Sequence, residues 1–325
     1  MAVITYGKAI GQGIAEEMRR DPDVFVMGEN VGTTGNIFKV LEGLLAEFGE
    51  ERVRDTPLAE EIIVNAAVGA AMRGLRPVAE IMYVDFLTLG IDCLLNQASK
   101  SWFNSAGRVN VPLVIRCPQG AGPGRGSQHT NSLEAWFAHI PGINVVLPAT
   151  PHDAKGLIKS AIRCDDPVVF LEHKQLYFTK GEIPDDECTV PLGKADVKRT
   201  GGDATIVTYS ITVHTALKAA DELEKKGIQV EVVDVRCLQP LDREAILASV
   251  RKTGCALVLY EAPVLYGAGA EIVTLIQAEA FSSLKAPVAR IGGRFTHLAY
   301  APNLTEAAVP RVADVVAAVE ALVRR

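Results

Sequence analysis

The sequence predicts an α/β protein of two domains, each built on a mainly parallel sheet covered by helices. Three observations carry that expectation. At 325 residues the chain is too long for one ordinary core. Short apolar runs alternate with stretches of helical period, the pattern of strands buried on both faces and joined by crossover helices. The alternation stops between Lys180 and Gly202, where Pro184, Asp185, Asp186, Glu187 and Pro191 intervene, and then resumes. The expected domains are residues 1–183 and 203–325, with 184–202 as the linker.

Taken in order, Tyr6 to Arg20 has Ile10, Ile14 and Met18 on one helical face and charge on the other. Val24 to Gly28 is a strand, with Glu29 to Gly32 the loop at its carboxyl end, and Gly35 to Gly49 reads as a loop and helix. Arg54 to Gly74 is the helix around which the first domain is organised. Thr56 suits its cap, Pro57 its first position, and Glu60 and Glu61 its first turn. It continues with Ala66, Ala67, Gly69, Ala70 and Ala71, small enough for another backbone to approach closely. Pro77 to Tyr83 is a strand, Phe86 to Phe103 a long helix, and Val111 to Arg116 a strand that runs into the glycine-dense loop Gly120 to Gly126. Leu133 to Ala138 and Asp153 to Arg163 read as helices, Asn144 to Pro148 and Pro167 to Leu171 as strands. In the second domain strands are expected at 204–209, 229–235, 256–261 and 287–290. Its helices fall at about 213–226, 242–250, 267–280 and 309–323.

Composition removes several function classes. Apolar residues make up 48%, which argues against disorder, and the net charge of −6 with no run of Lys or Arg disfavours nucleic acid and anionic membrane. No apolar stretch is long enough to span a bilayer, and the N-terminus lacks the charged and apolar regions of a signal peptide. A soluble cytoplasmic protein, or a mature form already trimmed, is expected. The six cysteines form no C-x-x-C pair, so neither a zinc site nor a disulfide framework is expected.

In open parallel sheets, functional groups gather beyond the carboxyl ends of the strands. Glu29, Glu60 and His129 all fall there. The Gly120 to Gly126 loop holds no G-K-[S/T] and is not a P-loop; Pro123 and Arg125 interrupt a dinucleotide fingerprint. Such a loop is either a flexible surface turn or one that brings backbone close to a ligand. His129, just beyond it, suits an exchangeable proton. His139, His152, His173 and His297 read as surface or satisfied core residues. Asp203 lacks the second glycine and downstream Asn of a metal–diphosphate motif, and no G-x-S-x-G elbow is present. The chain has acid–base groups but no apparatus of its own for a cofactor's phosphates.

Several motifs in one order carry a resemblance over essentially the whole chain. They are Val26 to Gly32 (V-M-G-E-N-V-G), Asp55 to Glu60 (D-T-P-L-A-E), Gly74 to Val78 (G-L-R-P-V), Gln128-His129, and Asp153 to Leu157 onward to Asp166-Pro167-Val168-Val169. The chain resembles the β subunits of thiamine-diphosphate-dependent 2-oxo acid dehydrogenases, acting on pyruvate or branched-chain substrates, and the closely similar acetoin dehydrogenase β subunit. The resemblance implies a transketolase-like pyrimidine-binding domain followed by a transketolase C-terminal-like domain.

It further implies that Glu60 hydrogen-bonds the pyrimidine ring of thiamine diphosphate. A proton shifted onto the ring promotes the imino form that removes the thiazolium proton. Met82 and Phe86 match residues lining the pyrimidine pocket, Glu29 a residue near the pyrimidine, and His129 an active-site histidine that orients substrate or intermediates. Glu61, often uncharged in relatives, is expected to point away. A structural potassium ion is implied at Leu113, Ala161, Ile162, Cys164 and Asp166, mostly through backbone carbonyls, although Cys164 stands where relatives often have Asp. The missing diphosphate motif implies an α2β2 heterotetramer whose α subunit holds the magnesium and diphosphate, with the second domain docking a dihydrolipoyl acyltransferase. The rival readings are an acetoin dehydrogenase β subunit and a non-catalytic structural partner of an α subunit.

Overall fold

The computed structural model describes residues 2–122, 124–184 and 186–324, so Pro123 of the glycine loop and Asp185 of the linker lie outside it. The strands are β1 (Ala2–Thr5), β2 (Val24–Gly28), β3 (Val53–Asp55), β4 (Arg76–Glu80), β5 (Val114–Gln119), β6 (Asn144–Val146), β7 (Val168–His173), β8 (Lys180–Ile183), β9 (Asp196–Arg199), β10 (Ala204–Thr208), β11 (Val230–Asp234), β12 (Cys237–Gln239), β13 (Ala256–Pro263) and β14 (Ala289–Gly293). The α-helices are α1 (Tyr6–Arg20), α2 (Leu44–Phe48), α3 (Glu60–Met72), α4 (Val84–Leu87), α5 (Ser99–Asn104), α6 (Glu134–Ala138), α7 (Pro151–Arg163), α8 (Thr212–Glu224), α9 (Arg243–Thr253), α10 (Gly269–Ala280), α11 (Pro302–Ala308) and α12 (Val312–Val323).

Two compact units divide the chain, Met1–Gln119 with Trp136–Leu192, and Gly120–Ala135 with Gly193–Arg325. In the first unit the strands run β6-β7-β5-β4-β2-β3, all parallel. β2, β5 and β7 are buried along their whole length, which is why they read as unbroken apolar runs. α7 begins where Thr150 accepts the Asp153 amide and Pro151 occupies the first turn. Its Lys155 and Lys159 reach Glu16 of α1, each at 2.7 Å, and Arg163 reaches the fully buried Glu17 at 2.7 Å.

The second unit has strand order β14-β13-β10-β11-β9, parallel except for β9. Ile206, Val232 and Leu257 of the sheet pack with Ala216 and Ala220 of α8 and Val315 and Val319 of α12. Residues 196–199, in the stretch read as a linker, form its antiparallel strand.

Two expectations are corrected. The helix expected to start at Thr56 and Pro57 starts at Glu60, with Ala59 as an N-cap that offers no side-chain bond. The Thr56 amide instead donates to Gly28 O at 2.9 Å, so these residues tie the end of β3 to the end of β2. The long helix expected over 86–103 is a composite of α4, a 3-10 turn (Thr88–Gly90), a π-helical turn (Cys93–Ala98) and α5. Gly90 in that 3-10 turn presses on α3, where an added Cβ would lie 2.6 Å from the Val64 side chain. The apolar period of a single helix does not report such changes of winding.

Candidate active site

The carboxyl ends of β2, β3 and β4 gather the first group of side chains. Gly28 ends β2 against β4: a Cβ there would sit 2.9 Å from Glu80 O, so only glycine lets the strands close at this point. Glu29 follows directly, half-buried, with Oε1 buried and bonded to nothing. Glu60 opens α3 and is 8% exposed, whereas Glu61 turns to the exterior. Burial, together with the nearby Glu60 charge, raises the Glu29 carboxyl above its usual range, so the two acids share one electrostatic neighbourhood. The Thr56 hydroxyl is also buried and bonded to nothing. Beyond β4 the chain runs through half-buried Met82, across a cis Met82–Tyr83 peptide, to half-buried Phe86 on α4. Two acids, a spare hydroxyl and an apolar wall thus share one edge of the first unit's sheet.

Asp55 fixes the loop that carries Glu29. Its carboxylate accepts from the Gly32 amide at 2.7 Å, from the Thr33 amide at 3.0 Å and from the Thr33 hydroxyl. These bonds outweigh the burial that opposes its charge and hold it below the usual carboxylate range. Behind the site lies a charged cluster absent from the expected site residues. Arg116 of β5 donates to Glu172 of β7 through Nε at 2.8 Å and Nη2 at 2.6 Å, and through Nη1 to Glu80 of β4. All three side chains are at most 1% exposed. Their signal was in the sequence as charge inside apolar strands; the register that opposes Glu80 to Arg116 was not.

His129 belongs to the second unit, half-exposed, in a segment anchored at several points. The Gly120 amide donates to Asn131 O at 2.9 Å, the Ala121 amide to Glu261 Oε1 at 2.7 Å, and the Thr130 hydroxyl to Gly126 O at 2.7 Å. Gly126 lies under the Tyr300 ring, 2.3 Å from where a Cβ would stand. The glycine loop is therefore packed at its base and end rather than free, while Arg125 points outward.

The positions matched to potassium cluster at the end of α7 and the start of β5. Arg76 donates to Ile162 O and Cys164 O, each at 2.8 Å, and to Asp165 at 3.0 Å. Leu113 O accepts the Val168 amide at 2.8 Å and Ala161 O the Cys164 amide at 3.2 Å; the Asp166 side chain is exposed. Among the described residues no group of three or more His, Cys, Asp or Glu is placed to hold a metal, and no helix is long and apolar enough to cross a membrane.

Comparison with known proteins gives this geometry its family. Residues 2–180 match the pyrimidine-binding domain of transketolase and residues 193–315 the transketolase C-terminal domain. The chain is 49% identical over 292 residues to the pyruvate dehydrogenase E1 component subunit beta of Bacillus subtilis, covering 90% of each chain. It is 45% identical over 306 residues to the 2-oxoisovalerate dehydrogenase subunit beta of the same organism, covering 94% of each. A split-gene transketolase, solved as an inactive beta4 tetramer, superposes with a TM-score of 0.82 at 24% identity over 99% of this chain and 98% of that one, and shares the fold. By these matches the chain belongs to the transketolase-like family of 2-oxo acid dehydrogenase E1 β subunits.

Proposed function

We propose that this chain supplies the pyrimidine side of a thiamine-diphosphate site in a 2-oxo acid dehydrogenase, shared with an α subunit in an α2β2 heterotetramer. The observation that carries the reading is the Glu60–Glu29 pair, a buried acid at an uncapped helix start beside a carboxyl with a bare buried oxygen. Such a pair suits a partner that exchanges a proton and offers a further donor. When bound, thiamine diphosphate supplies the electron sink for cleaving the bond between a 2-oxo acid's carbonyl and carboxylate carbons.

The residues of this chain divide the remaining work. Glu60, its position set by the first turn of α3, would exchange a proton with the ring nitrogen. Glu29, whose carboxyl burial and the Glu60 charge push above the usual range, faces the same edge with its bare oxygen. Met82 and Phe86 keep water from the ring, and His129 orients the substrate. The α subunit holds magnesium and diphosphate, and a dihydrolipoyl acyltransferase accepts the acyl group. The outer face of α3, with Ile62, Ala66 and Gly69 exposed, supports close approach of a partner backbone. Potassium at Leu113, Ala161, Ile162, Cys164 and Asp166 is part of the same reading; the oxygens suit a hard cation, but Arg76 already supplies positive charge to two of these carbonyls.

The test is reconstitution with the α subunit. Glu60→Gln is expected to lower turnover at saturating cofactor by roughly a hundred-fold or more, and wild-type turnover would remove Glu60 from its role. A panel of pyruvate, branched-chain oxo acids and acetoin identifies the substrate, since named relatives act on different 2-oxo acids at similar identity.

A further inference from the structure

We propose that Asn36 is a positioning residue. Acting through the buried carboxylate of Glu80, it fixes the Glu29 loop against β4 and so sets how tightly the pyrimidine side of the site holds its cofactor. The inference rests on the reading of this edge as the thiamine-diphosphate site.

Asn36 lies seven residues beyond Glu29 in the same loop and is 1% exposed. Its backbone is left-handed, at φ 67°, a conformation Asn tolerates better than most residues. Both ends of its side-chain amide are engaged. Nδ2 donates to Glu80 Oε2 at 2.8 Å, while Oδ1 accepts the Phe38 amide at 2.8 Å and the Val40 amide at 3.2 Å. The Phe38 held in this way stacks on Tyr177, with centroids 4.4 Å apart, and meets Tyr83 edge-on at 6.2 Å. Tyr83 adjoins Met82 and leads into the helix of Phe86. One side chain thereby links the loop bearing Glu29 to the strand end bearing the apolar wall.

The receiving carboxylate makes the link sensitive. Glu80 Oε2 takes both Asn36 and Arg116, while Oε1 is buried and bonded to nothing. Arg116 is also claimed by Glu172, whose second oxygen takes the Tyr177 hydroxyl at 2.6 Å. The charged and titratable groups around this point include Glu80 on β4, Asp85 on α4, Arg116 and Cys117 on β5, Glu172 on β7, Tyr6 on α1, Tyr177, and Lys174 above the Tyr83 ring at 5.3 Å. Losing the Asn36 donor leaves Glu80 dependent on a guanidinium it shares with a second carboxylate.

The experiment uses the reconstituted enzyme and measures, across pH, the Kd of thiamine diphosphate by isothermal titration calorimetry together with the cofactor KM and kcat. Asn36→Ala is expected to raise both the Kd and the KM for thiamine diphosphate roughly ten-fold while kcat at saturating cofactor stays within about two-fold of wild type. Asn36→Asp places a second carboxyl against Glu80. Its KM is expected to approach wild type at low pH, where one proton is shared between the two, and to climb as that proton is lost. A side chain that merely supports folding predicts neither the split nor the pH trend. If Asn36→Ala does not assemble on gel filtration, the Asn36→Asp series decides alone. Wild-type KM at every pH in the variants, or a fall in kcat with KM unchanged, overturns the proposal. Glu60→Gln run in parallel separates the two levels. If it loses turnover while the Asn36 variants match wild type, only the positioning role falls; if it too matches wild type, the reading of the site falls with it.

Discussion

A hydroxyl set in the second unit and a charged set in the first are buried in different ways. In the second unit, Thr205 on β10 meets Ser249 and Thr253 of α9, each at 2.8 Å, and Thr208 donates to Thr212 at 2.8 Å. These are neutral hydroxyls that satisfy one another between a strand and its adjacent helix. The Glu80–Arg116–Glu172 set of the first unit is charged, spans three strands, and leaves a carboxylate oxygen bare; the second unit buries charge as well, in Glu231 and Asp234 of β11. A neutral hydroxyl set costs little to bury once paired; two carboxylates around one guanidinium cost much more and are poor stabilisers in themselves. The charged set carries that cost directly behind the edge that holds Glu29 and Glu60.

The sharpest way to break this contrast is Arg116→Met, which strands two buried carboxylates. It is expected to lower unfolding stability by about 3–5 kcal/mol, read by urea denaturation, and a loss under about 1 kcal/mol would mean the cluster is far better hydrated than its burial indicates. Thr205→Val, on the neutral side of the comparison, is expected to cost only about 1–2 kcal/mol by the same measurement. A cost equal to that of Arg116→Met would erase the distinction.

A smaller effect has the opposite sign. The Glu29 carboxyl titrates above its usual range in the folded chain, so the folded state binds its proton more tightly than the unfolded state. Its contribution is most favourable at low pH and is lost as pH rises through the raised folded value. Glu29→Gln is therefore expected to stabilise the chain at neutral pH by under about 1 kcal/mol after solvent screening, with the gain vanishing in acid. Thermal melts at several pH values check this, and destabilisation at neutral pH would contradict it. The smallest expected effect is that of potassium. With Arg76 on two of the carbonyls, replacing potassium by sodium is expected to shift the melting temperature by no more than about 2 °C, equivalent to about 1 kcal/mol.

Much of the fold was legible because burial leaves a mark in composition. Val24 to Gly28 and Val168 to Leu171 could hardly be anything but strands buried on both faces. The start of α3 was misleading because Thr56 and Pro57 carry the chemistry of a helix start yet serve a turn bound to β2. Glu60 and Glu29 were legible through motifs and their place after strands, and their shared electrostatics came only with the fold. Asn36 was not legible at all. Nothing local marks it, since its partner Glu80 is 44 residues away and its left-handed backbone is a property of the folded loop.

The allocation of residues 120–135 to the second unit bears on how the molecule can be dissected. A fragment ending at Leu192 would contain His129 but none of Glu261, Tyr300 or Tyr209, the last of which donates to Glu134 at 3.0 Å. The complementary fragment would contain those residues with nothing to receive. The halves are thus not interchangeable modules: a gene split at the linker would leave each product with unfilled packing and buried groups lacking their mates, whereas exchange of the whole chain between related enzymes preserves every such pairing.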